Sequence, residues 1–181
     1  MKKLKLTVLI LALVSLTTSF KRVDEWVLCE TKNCKVLFPA KPEASSQMVN
    51  SAIGTLKLDL NVYEVPEGTK DDNFVYLLAE SEYPDSLVNS DKKDFLDNFF
   101  RKAADGAVKN VQGRLLTENA CTLGKFPGRE IRIDFQNGKA IIKARMYLVK
   151  NILVMLETIT DPKLEENKSV EKFMNSIQLT R

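Results

Sequence analysis

The chain has 181 residues, 44% of them hydrophobic and 28% charged, with 27 lysines and arginines against 24 aspartates and glutamates. Three of the lysines and no acidic residue lie in residues 1–19, so the rest of the chain carries equal numbers of the two charges. This balance argues against a nucleic-acid-binding role, because such proteins need a surplus of cations to displace counterions from phosphates. The chain has no histidine, which removes the commonest general base and metal ligand.

Residues 1–19 are predicted to be an export signal. Lysines precede an apolar run from Leu6 to Leu16, and small polar residues suited to cleavage follow it. The run is shorter than the ~20 residues that a transmembrane helix needs, although an uncleaved membrane anchor is the alternative. We therefore expect a periplasmic or secreted protein with no stable membrane span after cleavage, in which residues 20–181 form a single domain.

The first two predicted strands form a short hairpin that carries two of the three cysteines. Apolar residues flank residues 30–33 on both sides, and a tip at Thr31-Lys32 would place Cys29 opposite Cys34. In an exported protein we expect these two to form a disulfide, which closes a small loop and stabilises the fold modestly. Metal binding or redox chemistry at the Cys-x4-Cys spacing is the alternative. Cys121 is expected to be a small buried apolar residue.

The middle of the chain predicts three more strands and a helix. Residues 47–52, 55–65 and 73–82 have the β-branched and alternating composition of strands. From about Asp91 to Val111, apolar residues recur at three and four residue spacing, as in an amphipathic helix. Phenylalanines on its apolar stripe predict packing against a sheet, or alternatively a box for an apolar ligand; they are Phe95, Phe99 and Phe100.

Residues 126–160 predict three consecutive antiparallel strands. The turns are Asn137-Gly138, a strong hairpin signal because both residues tolerate positive φ, and Lys150-Asn151. This register pairs Ile131 with Ala144, Ile133 with Ile142, Glu130 with Arg145, Arg132 with Lys143, and Tyr147 with Val154. Far from the first turn both faces of these strands are apolar, so each needs a cover.

A second helix is predicted to begin at Asp161-Pro162, a cap followed by proline at the first helical position. Its buried residues are expected to be Val170, Phe173, Met174 and Ile177. Together with the first helix it supplies the two covers that the strands require. The sequence therefore predicts an α+β fold in which an antiparallel sheet of about six to seven strands carries helices on both faces, an α/β/α sandwich.

The charged side of the predicted meander is the candidate ligand or partner face: Glu130, Arg132, Arg145 and Tyr147. Opposite charges directly across an antiparallel pair are commonly structural, and that interpretation is the alternative. No motif indicates a catalytic centre, a cofactor or a metal site. An enzyme would have to use carboxylates such as Glu130, Asp134 or Glu157.

Several segments in this order resemble the PsbP-like superfamily. They are Phe38-Pro39-Ala40-Lys41-Pro42, the aromatic helix, Phe126-Pro127-Gly128-Arg129-Glu130, Arg145-Met146-Tyr147-Leu148-Val149, and Phe173 before Ser176-Ile177. That group includes extrinsic proteins of the photosynthetic oxygen-evolving complex, a nuclear Ran-binding protein and exported bacterial proteins. The resemblance spans about Asp24 to Leu179, and it implies the same sandwich fold and a non-enzymatic role. Metal positions in photosynthetic relatives use histidine and do not transfer.

These observations favour an exported, non-catalytic accessory or binding module that engages a protein or a cell-envelope component. A carrier of an apolar small molecule or lipid is the alternative, with its cavity between the phenylalanine stripe and the sheet. An enzyme with carboxylate chemistry is the least favoured class.

Overall fold

The computed structural model describes residues 25–51 and 54–180, and its main element is a seven-stranded antiparallel sheet. The strands are β1 Val27–Glu30, β2 Cys34–Phe38, β3 Glu43–Ser51, β4 Gly54–Glu64, β5 Asn73–Glu82, β6 Arg114–Leu123, β7 Phe126–Phe135, β8 Ala140–Val149, β9 Ile152–Thr160 and β10 Gln178–Leu179. Across the large sheet their order is β3-β4-β5-β9-β8-β7-β6. The predicted antiparallel sheet and α+β class are confirmed.

Strands β7, β8 and β9 have the register predicted from their turns. The predicted pairs are present: Ile131 with Ala144, Ile133 with Ile142, Glu130 with Arg145, Arg132 with Lys143, and Tyr147 with Val154. The first turn is wider than a two-residue hairpin loop, because Gln136 has a positive φ of 53° in addition to Asn137 and Gly138. Asp134 closes this turn, since its carboxylate accepts a hydrogen bond of 2.6 Å from the Gly138 backbone N–H.

A second, three-stranded sheet in the order β1-β2-β10 was not predicted as a separate unit. Its hairpin corrects the predicted cysteine pairing, because Cys29 lies opposite Val36 rather than Cys34. The cause is the Thr31 hydroxyl, which accepts hydrogen bonds from the backbone N–H groups of Asn33 and Cys34 and widens the turn. All three cysteines are free thiols in the structure. The Cys29–Cys34 disulfide therefore stays a prediction without the facing geometry proposed for it.

The two helices are shorter than predicted. Helix α1 spans Leu96–Asn110 and follows a 3-10 turn at Lys93–Phe95, and α2 spans Lys168–Asn175. The prediction that the second helix begins at Asp161-Pro162 is wrong: those residues form a turn closed by the Leu164 backbone N–H. Helix α2 begins later because the Asn167 side chain caps it, accepting a hydrogen bond of 2.8 Å from the Val170 backbone N–H.

Buried side chains form two clusters, one with each helix. Alternate residues of the central strands enter different clusters: Tyr147, Val154 and Leu156 join the first, whereas Ile142, Ala144 and Met146 join the second. The first cluster contains the four residues whose burial the sequence predicts: Val170, Phe173 and Met174 of α2, and Ile177, which follows the end of α2. The second contains Phe100 and Ala104 of α1. Because successive strand residues point to opposite sides, the clusters lie on opposite faces of the sheet.

Helix α1 covers only part of the sheet face on which it packs. It contacts β7, which lies four strands away from β4 in the sheet. Three apolar residues of β4 point to the same side as the α1 cluster, remain half-buried and join neither cluster: Leu58, Leu60 and Val62. The β3–β5 end of this face is therefore less completely covered than the sequence predicts.

The predicted export signal at residues 1–19 lies outside the described residues. Among the residues that the structure does describe, no helix has the length and apolar character required to cross a membrane.

Candidate functional site

The charge pair predicted on the meander connects the sheet to α2. Glu130 and Arg145 form an ion pair, with 2.5 Å between the arginine Nε and the carboxylate Oε2. Arg145 also donates a hydrogen bond of 2.7 Å to the side chain of Asn175, the last residue of α2. The carbonyl groups of a helix's last turn lack partners within the helix, and Arg145 also donates to one of them, on Met174.

The other two residues of the predicted face also contact the chain itself. Arg132 donates hydrogen bonds to Glu165, at 3.1 Å from Nε and 2.5 Å from a terminal nitrogen, and this hydrogen bonding raises the pKa of the guanidinium. Tyr147 is 4% exposed and packs in the α2 cluster. The structure thus brings all four predicted residues to one face of the sheet, where their contacts hold α2 and the segment before it.

The phenylalanine stripe proposed as a ligand box packs within the protein. Phe100 is fully buried in the α1 cluster. Phe99 contacts three rings edge to face, with centroids 5.4 to 5.8 Å apart: Phe95, Phe100 and Tyr83. Arg129 also lies over the Phe100 ring at 5.2 Å. These side chains therefore contact one another and Arg129 at the place where the carrier hypothesis required a cavity.

The carboxylates proposed for an enzyme do not meet. Glu130 pairs with Arg145, and Asp134 forms an ion pair of 2.9 Å with Arg114. Glu157 lies opposite Ala144, which places it on the face of the sheet away from Glu130. Two carboxylates that share one reaction must approach the same substrate, so this set is not arranged as an acid–base pair.

A polar cleft that the sequence did not predict opens between the β1–β2 turn and the strands beneath it. Its volume is ≈ 300 Å³. The turn contributes residues 31–33, β4 contributes Lys57, Asp59 and Asn61, and β5 contributes Glu80 and Glu82. This cavity, named here the Glu80 cleft, is at the small end of the range of ligand sites.

Glu80 is the buried acidic group of the cleft, with 6% of its surface exposed. Its Oε1 accepts hydrogen bonds from the Thr31 hydroxyl at 3.1 Å and the Asn33 side-chain amide at 3.0 Å. The Cys34 thiol donates a weaker one at 3.8 Å. Within the described part of the chain these bonds all reach Oε1, and Oε2 receives none. The carboxylate, which lines the cleft, therefore keeps unused acceptor capacity.

The charges of the cleft are not balanced. Asp59 lies directly opposite Glu80 in the β4–β5 ladder, an arrangement of like charges that destabilises a sheet. Lys57 offsets part of this repulsion through an ion pair of 2.7 Å with Asp59, and hydrogen bonds from Lys57 and Ser46 lower the pKa of the Asp59 carboxyl. With three carboxylates and two lysines in its walls, the cleft carries one excess negative charge.

The neighbouring thiols are poor nucleophiles. Burial and the negative charge of Glu80 raise the pKa of Cys34 to about 12, and the same two causes raise the pKa of Cys29. Only the thiolate attacks or binds metal strongly, so a raised pKa makes both cysteines less reactive near neutral pH. Among the described residues, no group of three or more histidine, cysteine, aspartate or glutamate side chains is placed to hold a metal ion.

The sequence of β5 contains one signal that could have indicated the Glu80 cleft. Tyr76, Leu78 and Glu80 alternate along β5 and share one face of the sheet, on which the first two are fully buried. A carboxylate in the third position interrupts an otherwise apolar row. Buried carboxylates need partners, and the interruption therefore marks a possible polar site, but the partners lie 47 to 49 residues away in the chain.

Comparisons with known proteins find matches among solved structures. No protein-family model matches the chain, and no curated protein matches it. Among solved structures, the solution structure of cyanobacterial PsbP (CyanoP) from Synechocystis sp. PCC 6803 matches with 12% identity and a TM-score of 0.43, covering 87% of this chain and 94% of that chain. The chain is similar to PsbP in fold. A likeness of this degree carries no inference about binding or activity.

Proposed function

We propose that this chain is an exported, non-catalytic binding module whose Glu80 cleft receives a cationic group, such as a lysine side chain, of a protein or cell-envelope partner. In this proposal residues 20–181 form one domain, and α1 and α2 lie over opposite faces of its large sheet. The single observation that carries the binding role is the half-satisfied carboxylate of Glu80 at the base of a negatively charged cavity.

The chemistry of the cleft favours a cation over other ligands. A charge-assisted hydrogen bond to a carboxylate is about twice as strong as one between neutral groups, and Oε2 of Glu80 is free to accept it. An ammonium group would also relieve the repulsion between Asp59 and Glu80. An apolar ligand is disfavoured, because every side chain that lines this cleft except Ile152 carries a hydroxyl group, an amide or a charge.

A pair of probes that differ by one charged group tests the proposal. Nα-acetyl-L-lysine amide is expected to bind to the purified chain, whereas Nα-acetyl-L-norleucine amide, which lacks the ammonium group, is not. Binding is measured by isothermal titration calorimetry. Equal affinity for the two probes, or no binding of the lysine probe, overturns the proposal.

Two matched variants locate the binding. Glu80→Gln keeps an acceptor for Thr31 and Asn33 but removes the charge, and we expect it to weaken lysine-amide binding at least about tenfold, or 1.4 kcal/mol. Glu67→Gln makes the same charge change at an exposed residue between β4 and β5 and should leave the affinity unchanged. Equal losses in both variants would mean that only the net charge of the protein matters.

A further inference from the structure

Strand β3 is an open edge of the large sheet. Its nine residues pair with β4 on one side, and in the described part of the chain no strand lies on its other side. Residues 43–48 are exposed on both faces of the strand. An edge of this kind presents backbone N–H and C=O groups that a further strand can pair with.

The other edges of the described sheets are protected in ways that β3 is not. At the opposite edge, β6 carries an irregularity between Leu115 and Thr117 and charged residues at Arg114 and Glu118. The edges of the small sheet, β1 and β10, have only four and two residues. Irregularities, charges and short length are the usual means of preventing edge-to-edge association.

Strand β3 has a continuous ladder with β4 from Glu43 to Ser51, and it contains no proline, lysine or arginine. Its one charged residue, Glu43, stands at its first position. A strand this long and regular fits an extended partner strand along its whole length.

We propose that β3 pairs with β3 of a second copy of this chain, antiparallel and about a two-fold axis at Gln47, so that two seven-stranded sheets become continuous. Gln47 is the middle residue of the nine, so this register uses the entire strand. It places each Glu43 opposite Ser51 of the partner, with the two negative charges at far ends of the interface. Parallel pairing would set the two glutamates side by side, which is unfavourable. Two-fold pairing of identical surfaces is also the commonest form of protein dimer.

The predicted axis gives a charge-swap test. Gln47→Lys and Gln47→Glu each place like charges opposite one another across the axis, and each is expected to weaken the dimer at least about tenfold. An equimolar mixture of the two variants should regain a dimer, because every lysine then faces a glutamate. Sedimentation equilibrium over a concentration series measures the dimer of the unmodified chain and its loss, and native mass spectrometry identifies the heterodimer of the mixture.

Ala120→Lys, at an exposed position of the opposite edge strand β6, is the control and should leave the dimer intact. The proposal is overturned if the unmodified chain stays monomeric at all concentrations, or if it is found paired with an extended segment of another protein instead. It is also overturned if the Gln47 variants dimerise as well as the unmodified chain, if their mixture forms no heterodimer, or if Ala120→Lys abolishes the dimer.

Discussion

Glu157 gives a quantitative test of packing on the α1 face of the sheet. It lies in β9 between Leu77 of β5 and Ala144 of β8. Burial there raises the pKa of its carboxyl from 4.5 to about 7. The perturbation is Glu157→Gln, which preserves the shape of the side chain and removes its ionisation.

The size and sign of the effect follow from this pKa. Because the folded-state pKa exceeds the unfolded value, the stability that Glu157 contributes is full below pH 4.5, declines as the pH rises, and is lost above pH 7. A difference of about 2.5 between the two pKa values corresponds to about 3 kcal/mol. This is an upper value, since the side chain keeps partial exposure.

Urea unfolding at about pH 4 and about pH 8.5 measures the effect. Glu157→Gln should match the unmodified chain at the lower pH and be more stable by up to about 3 kcal/mol at the higher pH. Glu67→Gln, the exposed control, should show no such pH dependence. An equal stability difference at both pH values would refute the assignment of Glu157 to a desolvated site.

Three further predictions concern packing and thiol reactivity. Phe173→Ala removes a fully buried ring that meets two others edge to face within 5.2 Å, and should lower the free energy of unfolding by about 3–5 kcal/mol in urea titrations. The control Leu87→Ala, at an exposed position outside β3, should change it little. Gly128→Ala would place a methyl group 2.5 Å from a backbone oxygen and should destabilise the fold by about 1–3 kcal/mol. Gly106→Ala, which has open space around it in α1, should stabilise the fold by about 0.5–1 kcal/mol. A Gly128→Ala variant more stable than Gly106→Ala would contradict the close packing of β7 at Gly128. Native Cys34 should react with a disulfide reagent far more slowly than it does in urea. A titration in urea that finds three thiols would rule out the Cys29–Cys34 disulfide predicted from the sequence, and a count of one would show that one disulfide is present.

The sequence predicts the meander correctly because its determinants are local. Asn137-Gly138 and Lys150-Asn151 set the two turns, and alternation along the strands then fixes which residues pair. The predicted burial of Phe173 and its neighbours in α2 also holds, since their spacing defines one face of the helix.

The errors arise where contacts distant in sequence decide local structure. Helix α2 begins at Lys168 rather than near Asp161, and its cap Asn167 is held by Asn73 of β5, 94 residues away. The cysteine register fails because the Thr31 hydroxyl organises the turn and also donates to Glu80. The sequence shows a strong helix-cap signal at Asp161-Pro162 and a strong hairpin signal between Cys29 and Cys34. It does not show the distant side chains that decide the structure at these two segments.

The Glu80 cleft was missed for the same reason. Its walls come from a turn and from strands that are adjacent only after the sheet has formed, with Thr31 and Glu80 49 residues apart. The predicted pair of Glu130 and Arg145 is visible in the sequence because the two residues face one another across a tight hairpin, yet in the structure Arg145 bonds both to Glu130 and to the end of α2.

The most direct test of the central claim is a titration of the ¹⁵N-labelled chain with Nα-acetyl-L-lysine amide, followed by backbone amide chemical shifts. Saturable shifts are expected at residues 31–33 and around Asp59 and Glu80, and they should be lost in Glu80→Gln. Shifts confined to a separate surface cavity beside Lys41 and Tyr63, or no saturable shift at all, would contradict the proposal.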